Sequence, residues 1–230
     1  MRRRLADERG FTLIELIVGM ASGTVLIAAA FLLVQVAVKT QVDASSRVEA
    51  LQLGRAAVND ITRSLRAQTC LGDGSPSFLA GSDTSVQLYT SVASAQTDYQ
   101  RVQRRTITFV PDATGDKGRI TETTQLGVGR PPDITSWNAA ETRVIANGVK
   151  LISGTPFFRY YTFTGSPASA TLLLTTPLSA GDLYRVVRVQ VAFQTSTDRV
   201  SQDLPSLRFE NAATARTADP DAQEGTLPCV

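Results

Sequence analysis

The chain has 230 residues, 23 basic and 21 acidic, with a net charge of +2, no histidine and two cysteines. That length suffices for one domain beyond an N-terminal helix. The lack of histidine excludes Ser-His-Asp and Cys-His catalysis and any His-ligated metal, and two cysteines are too few for a structural zinc cluster. Arg2, Arg3, Arg4 and Arg9, set against Asp7 and Glu8, account for the whole positive excess. The remainder carries no global basic field that would draw nucleic acid or an anionic membrane.

Residues 1–10 read as a short basic leader ending in Gly10, and Phe11 opens an apolar run that reaches Val38. No charged residue occurs from Leu16 to Val38. As a helix, such a run crosses a hydrocarbon core about 30 Å thick, so residues 11–38 are predicted to span the membrane. Glu15 does not suit a plain anchor, because a carboxylate costs roughly 2.5–3.5 kcal/mol near the bilayer centre and less at its edge. A segment that must leave the membrane and find a cationic partner has a use for that acid. A secretory signal peptide would place a small-residue cleavage site behind a short apolar core. Ala28-Ala29-Ala30 imitates one, yet the apolar run continues through Phe31-Leu32-Leu33-Val34. A signal anchor explains the length but neither Gly10-Phe11 nor Glu15. The leader's arginines hold the N-terminus in the cytoplasm.

Gly19 and Gly23 form a small-xxx-small pair of the kind that lets helices approach closely in an apolar setting. From residue 39 to 68 the pattern turns amphipathic. Ala44, Val48, Leu51, Val58, Ile61 and Leu65 follow a three-or-four spacing, with Gly54 among them, while Asp43, Arg47, Glu49, Asp60 and Arg63 take other faces. This half needs a globular domain to lie against.

Residues 69–210 read as that domain, and as β. After the turn-rich Gly72-Asp73-Gly74-Ser75-Pro76, residues 86–89 alternate in hydropathy. Strands at 105–110 and 119–123 flank a glycine-bearing hairpin at 112–118. Further strands are predicted at 142–145, 157–163, 171–175 and 184–194, the last with Val187, Val189, Val191 and Phe193 on one face. Residues 127–138, with Pro131-Pro132, read as a loop. Residues 211–230 are polar and low in aliphatics and read as a flexible tail.

No catalytic set emerges: carboxylates are scattered, no phosphate-binding glycine loop is present, and no nucleophile has an evident base. No cofactor is expected. Asp219, Asp221 and Glu224 have oxygen ligands of the type calcium prefers, but a solvated acidic tail is the commoner arrangement. Arg101, Arg104 and Arg105 near Tyr99 have the chemistry to touch phosphates. Adjacent positions on a strand point to opposite faces, so Arg104 and Arg105 do not make one basic stripe, and nucleic acid is disfavoured.

The stretch Arg9-Gly10-Phe11-Thr12-Leu13-Ile14-Glu15 and the helix behind it resemble the type III signal of type IV pilins and type II secretion pseudopilins. The resemblance implies cleavage by prepilin peptidase between Gly10 and Phe11, N-methylation of Phe11, and docking of Glu15, the fifth mature residue, on a neighbouring subunit. It implies an α+β pilin fold, a long N-terminal helix packed on an antiparallel β-sheet domain, and a structural role rather than an enzymatic one. The partners would be other pilins or pseudopilins, met through the N-terminal helix. The chain would sit single-pass in the cytoplasmic membrane and then enter a cell-surface or periplasmic filament. The later order resembles W-type minor pilins and J-type minor pseudopilins: a hairpin, an aromatic strand Phe157-Phe158-Arg159-Tyr160-Tyr161, a valine-rich strand and a short Leu207-Arg208-Phe209 strand. In an exported chain Cys70 and Cys229 are expected to form a disulfide. A pilus-displayed adhesive or DNA-binding module, and an anchored periplasmic domain that never assembles, remain alternatives.

Overall fold

The computed structural model describes residues 12–93, 99–113, 115, 117–164, 169–195, 206–215 and 229. Gly10, Phe11 and the tail acids Asp219, Asp221 and Glu224 lie outside the described residues. The chain divides into two compact units, Met1–Ser46 and Arg47–Val230.

The helix α1 (Leu13–Arg66) is continuous. Its sequence contains no proline, the first of which is Pro76, so nothing removes an i→i−4 bond along its length. In the first unit its large side chains are open to solvent all round, Leu13 at 78% and Leu33 at 72%. The helix is long and apolar enough to cross a membrane. An uncovered apolar surface of this extent calls for lipid or for other helices.

In the second unit α1 buries Ala50, Gly54, Ala57, Val58, Ile61 and Leu65. The predicted stripe is thus displaced only at its start: Ala44 and Val48 stay exposed, Val48 at 53%, and Ala50 faces the domain instead, while Gly54 lies buried within the stripe. The reason is steric. The Phe209 ring occupies the space beside Gly54 where a Cβ would stand, and Thr195 donates its hydroxyl to the Ala50 carbonyl at 3.1 Å. Only small side chains permit that approach. The helix ends at Arg66, after which Gln68 forms a bridge to Thr90 and Thr69 N–H donates to the Tyr89 carbonyl at 3.0 Å.

The strands are β1 (Phe78–Gly81), β2 (Ser85–Val92), β3 (Arg101–Pro111), β4 (Gly118–Arg130), β5 (Asp133–Trp137), β6 (Glu141–Lys150), β7 (Phe158–Thr164), β8 (Ser169–Leu174), β9 (Arg188–Thr195) and β10 (Leu207–Thr214). Among the described residues they form one antiparallel sheet in the order β1-β2-β3-β4-β6-β9-β7-β8, with β5 on β4 and β10 on β9. The architecture is α+β, a long N-terminal helix followed by an antiparallel sheet, as the pilin fold requires. The core lies between the buried face of α1 and this sheet. Ile61, Leu65, Val86, Leu88, Ile107, Ile120, Tyr160, Val189 and Val191 are buried there. Phe157 sits centrally, 4.6 Å from Phe158 edge-on and 5.8 Å from both Phe109 and Phe193, and Phe193 stacks on Phe209 at 5.7 Å.

Three local predictions are corrected and one strand is added. Residues 127–138 are not a loop but the end of β4, a turn at Pro131-Pro132, and β5. Their glycine- and proline-rich composition hides the strands, and a tertiary contact holds them: Trp137 stacks on Tyr89, centroids 5.7 Å apart. The strand predicted at 184–194 begins only at Arg188, because Ser179 and Asp182 form a capping box that starts the short helix α2 (Ala180–Leu183). β1 was not anticipated, and it is held from outside its own span, Tyr160 donating its hydroxyl to the Ser82 and Ser85 carbonyls at 3.1 and 2.8 Å. Finally, β10 continues through residues 211–214 of the stretch read as tail, in unbroken register with β9.

Candidate functional site

The chemistry singled out by the sequence begins where α1 begins. Thr12 stands as the N-cap. Its backbone N–H and its hydroxyl both donate to Glu15 Oε2, at 3.0 and 3.1 Å, and the Glu15 N–H donates back to Thr12 Oγ1 at 3.3 Å. This is a reciprocal capping box of the T-x-x-E type, which satisfies helix-start donors that water otherwise must serve. The cap was legible in the spacing Thr12-Leu13-Ile14-Glu15, but the reading above assigned Glu15 only to docking. Both residues are exposed. Every hydrogen bond to the Glu15 carboxylate among the described residues ends on Oε2. The result is a fixed anion at the first turn of an apolar helix, where the helix dipole favours negative charge.

One and two turns further on, apart from the chain neighbours and the adjacent backbone of the helix itself, no described heavy atom lies within 4 Å of where a Cβ would stand on Gly19 or Gly23. Within one chain the two glycines therefore leave an open notch on the helix.

In the second unit Cys70 and Cys229 form a disulfide with Cα atoms 5.6 Å apart, joining positions 159 residues apart in sequence. The arginines considered for phosphate contact are separated and engaged. Arg104 donates to Gln125 Oε1 from Nε and Nη2, at 3.0 and 2.6 Å, and lies 5.0 Å from the Trp137 ring. Arg101 donates to the Gly127 carbonyl, and Tyr99 lies under Arg130. Arg105 points the other way, towards α1.

There it joins a charge network that the sequence did not reveal. Glu122 on β4 is 2% exposed. Its Oε1 accepts from Arg105 Nη1 at 2.7 Å and from the Ser64 hydroxyl at 3.1 Å, and its Oε2 accepts from Arg143 Nε at 2.6 Å. Arg143 also reaches Asp60 on α1 at 2.7 Å. Two cations meet two anions, and both Asp60 and Ser64 come from the helix. A buried carboxylate persists only when paired in this way. No single residue type announces such a network, since Glu122 and its partners lie far apart in sequence. Among the described residues no group of three or more His, Cys, Asp or Glu is placed to hold a metal.

Residues 5–31 match the family model described as the prokaryotic N-terminal methylation motif. The chain carries a prepilin-type N-terminus. The matched span contains Gly10, Phe11, Glu15, Gly19 and Gly23, the positions on which the sequence reading placed processing and assembly. No curated protein and no solved structure shows a comparable match. The match thus supports the type IV pilins and pseudopilins through the N-terminus, while the globular domain is known from its own fold. The prepilin-type N-terminus and the apolar helix behind it are consistent with an anchor in the inner membrane.

Proposed function

We propose that this protein is a minor pilin or pseudopilin, a structural subunit built into, or priming, a type IV pilus-like filament. One observation carries the reading: the methylation motif stands at the head of a helix whose large apolar side chains are exposed from Leu13 to Val38. Prepilin peptidase cuts between Gly10 and Phe11 and methylates the new Phe11 amine. The helix then exchanges lipid for the helices of neighbouring subunits, with Gly19 and Gly23 at a close crossing. The domain exceeds what a small repeating subunit needs, which favours a minor role of W type or J type. The acid at the fifth mature position disfavours the K-type tip position.

Glu15 sets the register. Its carboxylate pairs with the Phe11 amine of the neighbouring subunit, an attraction of up to roughly 4 kcal/mol at about 4 Å and an effective dielectric of 20, before desolvation is subtracted. Apolar packing alone tolerates many axial offsets, and an ion pair selects one. Glu15→Ala is therefore expected to be cleaved and inserted normally, because the span becomes more apolar, and to be depleted from sheared filaments. Immunoblots of the sheared fraction against the membrane fraction measure this. Wild-type incorporation of Glu15→Ala would refute docking through Glu15, and absence of the wild-type chain from the sheared fraction would refute assembly itself.

A further inference from the structure

We propose that Asn147 is a site of spontaneous deamidation in the folded chain, converting through a cyclic imide to aspartate or isoaspartate. Asn147-Gly148 is the one Asn-Gly pair in the sequence. Glycine has no Cβ to obstruct the approach of the asparagine amide to the following backbone nitrogen. An unbroken strand ladder holds such a pair extended and apart, but here the ladder is interrupted. β4 and β6 pair Gly118↔Val149 and Ile120↔Ala146, so Arg119 alone faces both Asn147 and Gly148. This is a β-bulge, and Gly148 within it takes a φ of 66°, in the left-handed region. Asn147 is exposed, and among the described residues its side chain makes no hydrogen bond.

The other positions where such a ring could close are held. Asn59 lies within α1, where the following N–H is committed to the i→i−4 ladder. Asn211 donates to the Thr62 hydroxyl at 3.4 Å, and its Oδ1 accepts at 2.9 Å from the Ala212 N–H, the very nitrogen that would have to attack. Asn138 is followed by Ala139, which carries a Cβ. Asp73-Gly74 has the favourable follower, but the Ser75 hydroxyl and N–H both donate to Asp73 Oδ1. Those bonds hold its carboxyl below the usual carboxylate range, and an ionised carboxylate is a poor electrophile.

The step needs no reactant but water. The Gly148 nitrogen gives its proton to base and attacks Asn147 Cγ. The new C–N bond closes the imide, the bond from Cγ to Nδ2 breaks, and the departing nitrogen takes up a proton and leaves as ammonia. Water then opens the ring, at Cγ to give aspartate or at the backbone carbonyl to give isoaspartate. Either product adds one negative charge to the wall of a cavity of about 490 Å³ that also presents Lys117, Arg119 and Asp112. The modification lies in the globular domain and is independent of docking through Glu15.

The test ages the full folded chain in detergent in mildly alkaline buffer, beside the same chain in urea. Trypsin then releases the peptide Val144–Lys150, bounded by Arg143 and Lys150, and mass spectrometry reads the change from amide to acid. Heavy-oxygen water supplied only during digestion labels any conversion made at that stage. In the folded chain Asn147 is expected to convert at least about tenfold faster than Asn138 and Asn211, and faster still as pH rises. Asn147→Gln, whose longer side chain closes the ring poorly, is expected to keep its amide and its elution on ion exchange, while Asn147→Asp elutes with the aged wild type. An intact Asn147 in the folded chain while the chain in urea converts would show that the bulge protects the amide and would overturn the proposal. Equal conversion at Asn138 or Asn211 would overturn it as well.

Discussion

The Phe209 ring on β10 occupies the space beside Gly54 on α1 that any side chain at that position would need. This is why a glycine is tolerated inside a helix, where it costs roughly 1 kcal/mol relative to alanine. Gly54→Ala recovers that propensity but inserts a methyl group into a packed ring, an overpacking cost of about 1–3 kcal/mol. The net expectation is destabilisation, relieved in part by Phe209→Leu in the same chain. Urea unfolding followed by the fluorescence of Trp137, the single tryptophan, measures both. A Gly54→Ala variant more stable than the wild type would mean that Phe209 moves aside freely.

Glu122 holds two guanidinium groups, so its neutralisation leaves both with less than their charge requires. Glu122→Gln is expected to cost about 3 kcal/mol, towards the low end for breaking a buried pair. Arg143→Met should cost less, because Arg143 is half exposed and Arg105 still neutralises Glu122. Equilibrium unfolding ranks the two. A Glu122→Gln effect inside the roughly 0.5 kcal/mol scatter of ordinary surface substitutions would show that the network contributes nothing net.

The Cys70–Cys229 bond closes a loop of 159 residues. In the chain-entropy model a loop of that length is worth up to about 5 kcal/mol, with real values often lower. Reduction, or Cys229→Ser, is expected to lower the urea midpoint and to leave wild-type secondary structure intact at low denaturant. Identical midpoints with and without reductant would remove the bond from any account of stability.

Burial drives the phenol pKa of Tyr160 upward, well beyond its ordinary value near 10, despite the hydrogen bond to Ser82, and the charge of Asp83 adds to the rise. The folded state therefore binds a proton that the unfolded state releases in alkali. This contribution is fully present below about pH 10 and is lost as pH rises beyond it. Tyr160→Phe is expected to cost about 1–2 kcal/mol at neutral pH, through the Ser82 and Ser85 carbonyls left with one donor fewer. It should also flatten the alkaline fall in stability. Unfolding midpoints between pH 8 and pH 11, to be compared as curves of roughly parallel or diverging slope, decide it; parallel curves would place the titration elsewhere.

What could be read directly from the residues was whatever rests on contiguous chain. The uncharged run from Leu16 to Val38, the Gly10-Phe11 junction and Glu15 lie within one stretch, so the membrane-length helix and the motif at its head needed no knowledge of partners. The valine-rich β9 was likewise visible, because a half-buried strand writes its two faces in alternate residues. Tertiary structure decided the rest. β5 exists because Trp137 finds Tyr89, and β1 is fastened by Tyr160, each a contact across tens of residues that no local window contains. The helix face starts at Ala50 rather than Val48, and Gly54 within it must stay small because Phe209 needs room; size complementarity is a property of two surfaces rather than one. Glu122 is buried only because Arg105, Arg143 and Ser64 converge on it from two strands and a helix, with Asp60 holding the far side of Arg143. Local sequence determines which segments are apolar and what conformation each prefers. Which of them meet, and which charges can then leave water together, is set only when the chain has closed on itself.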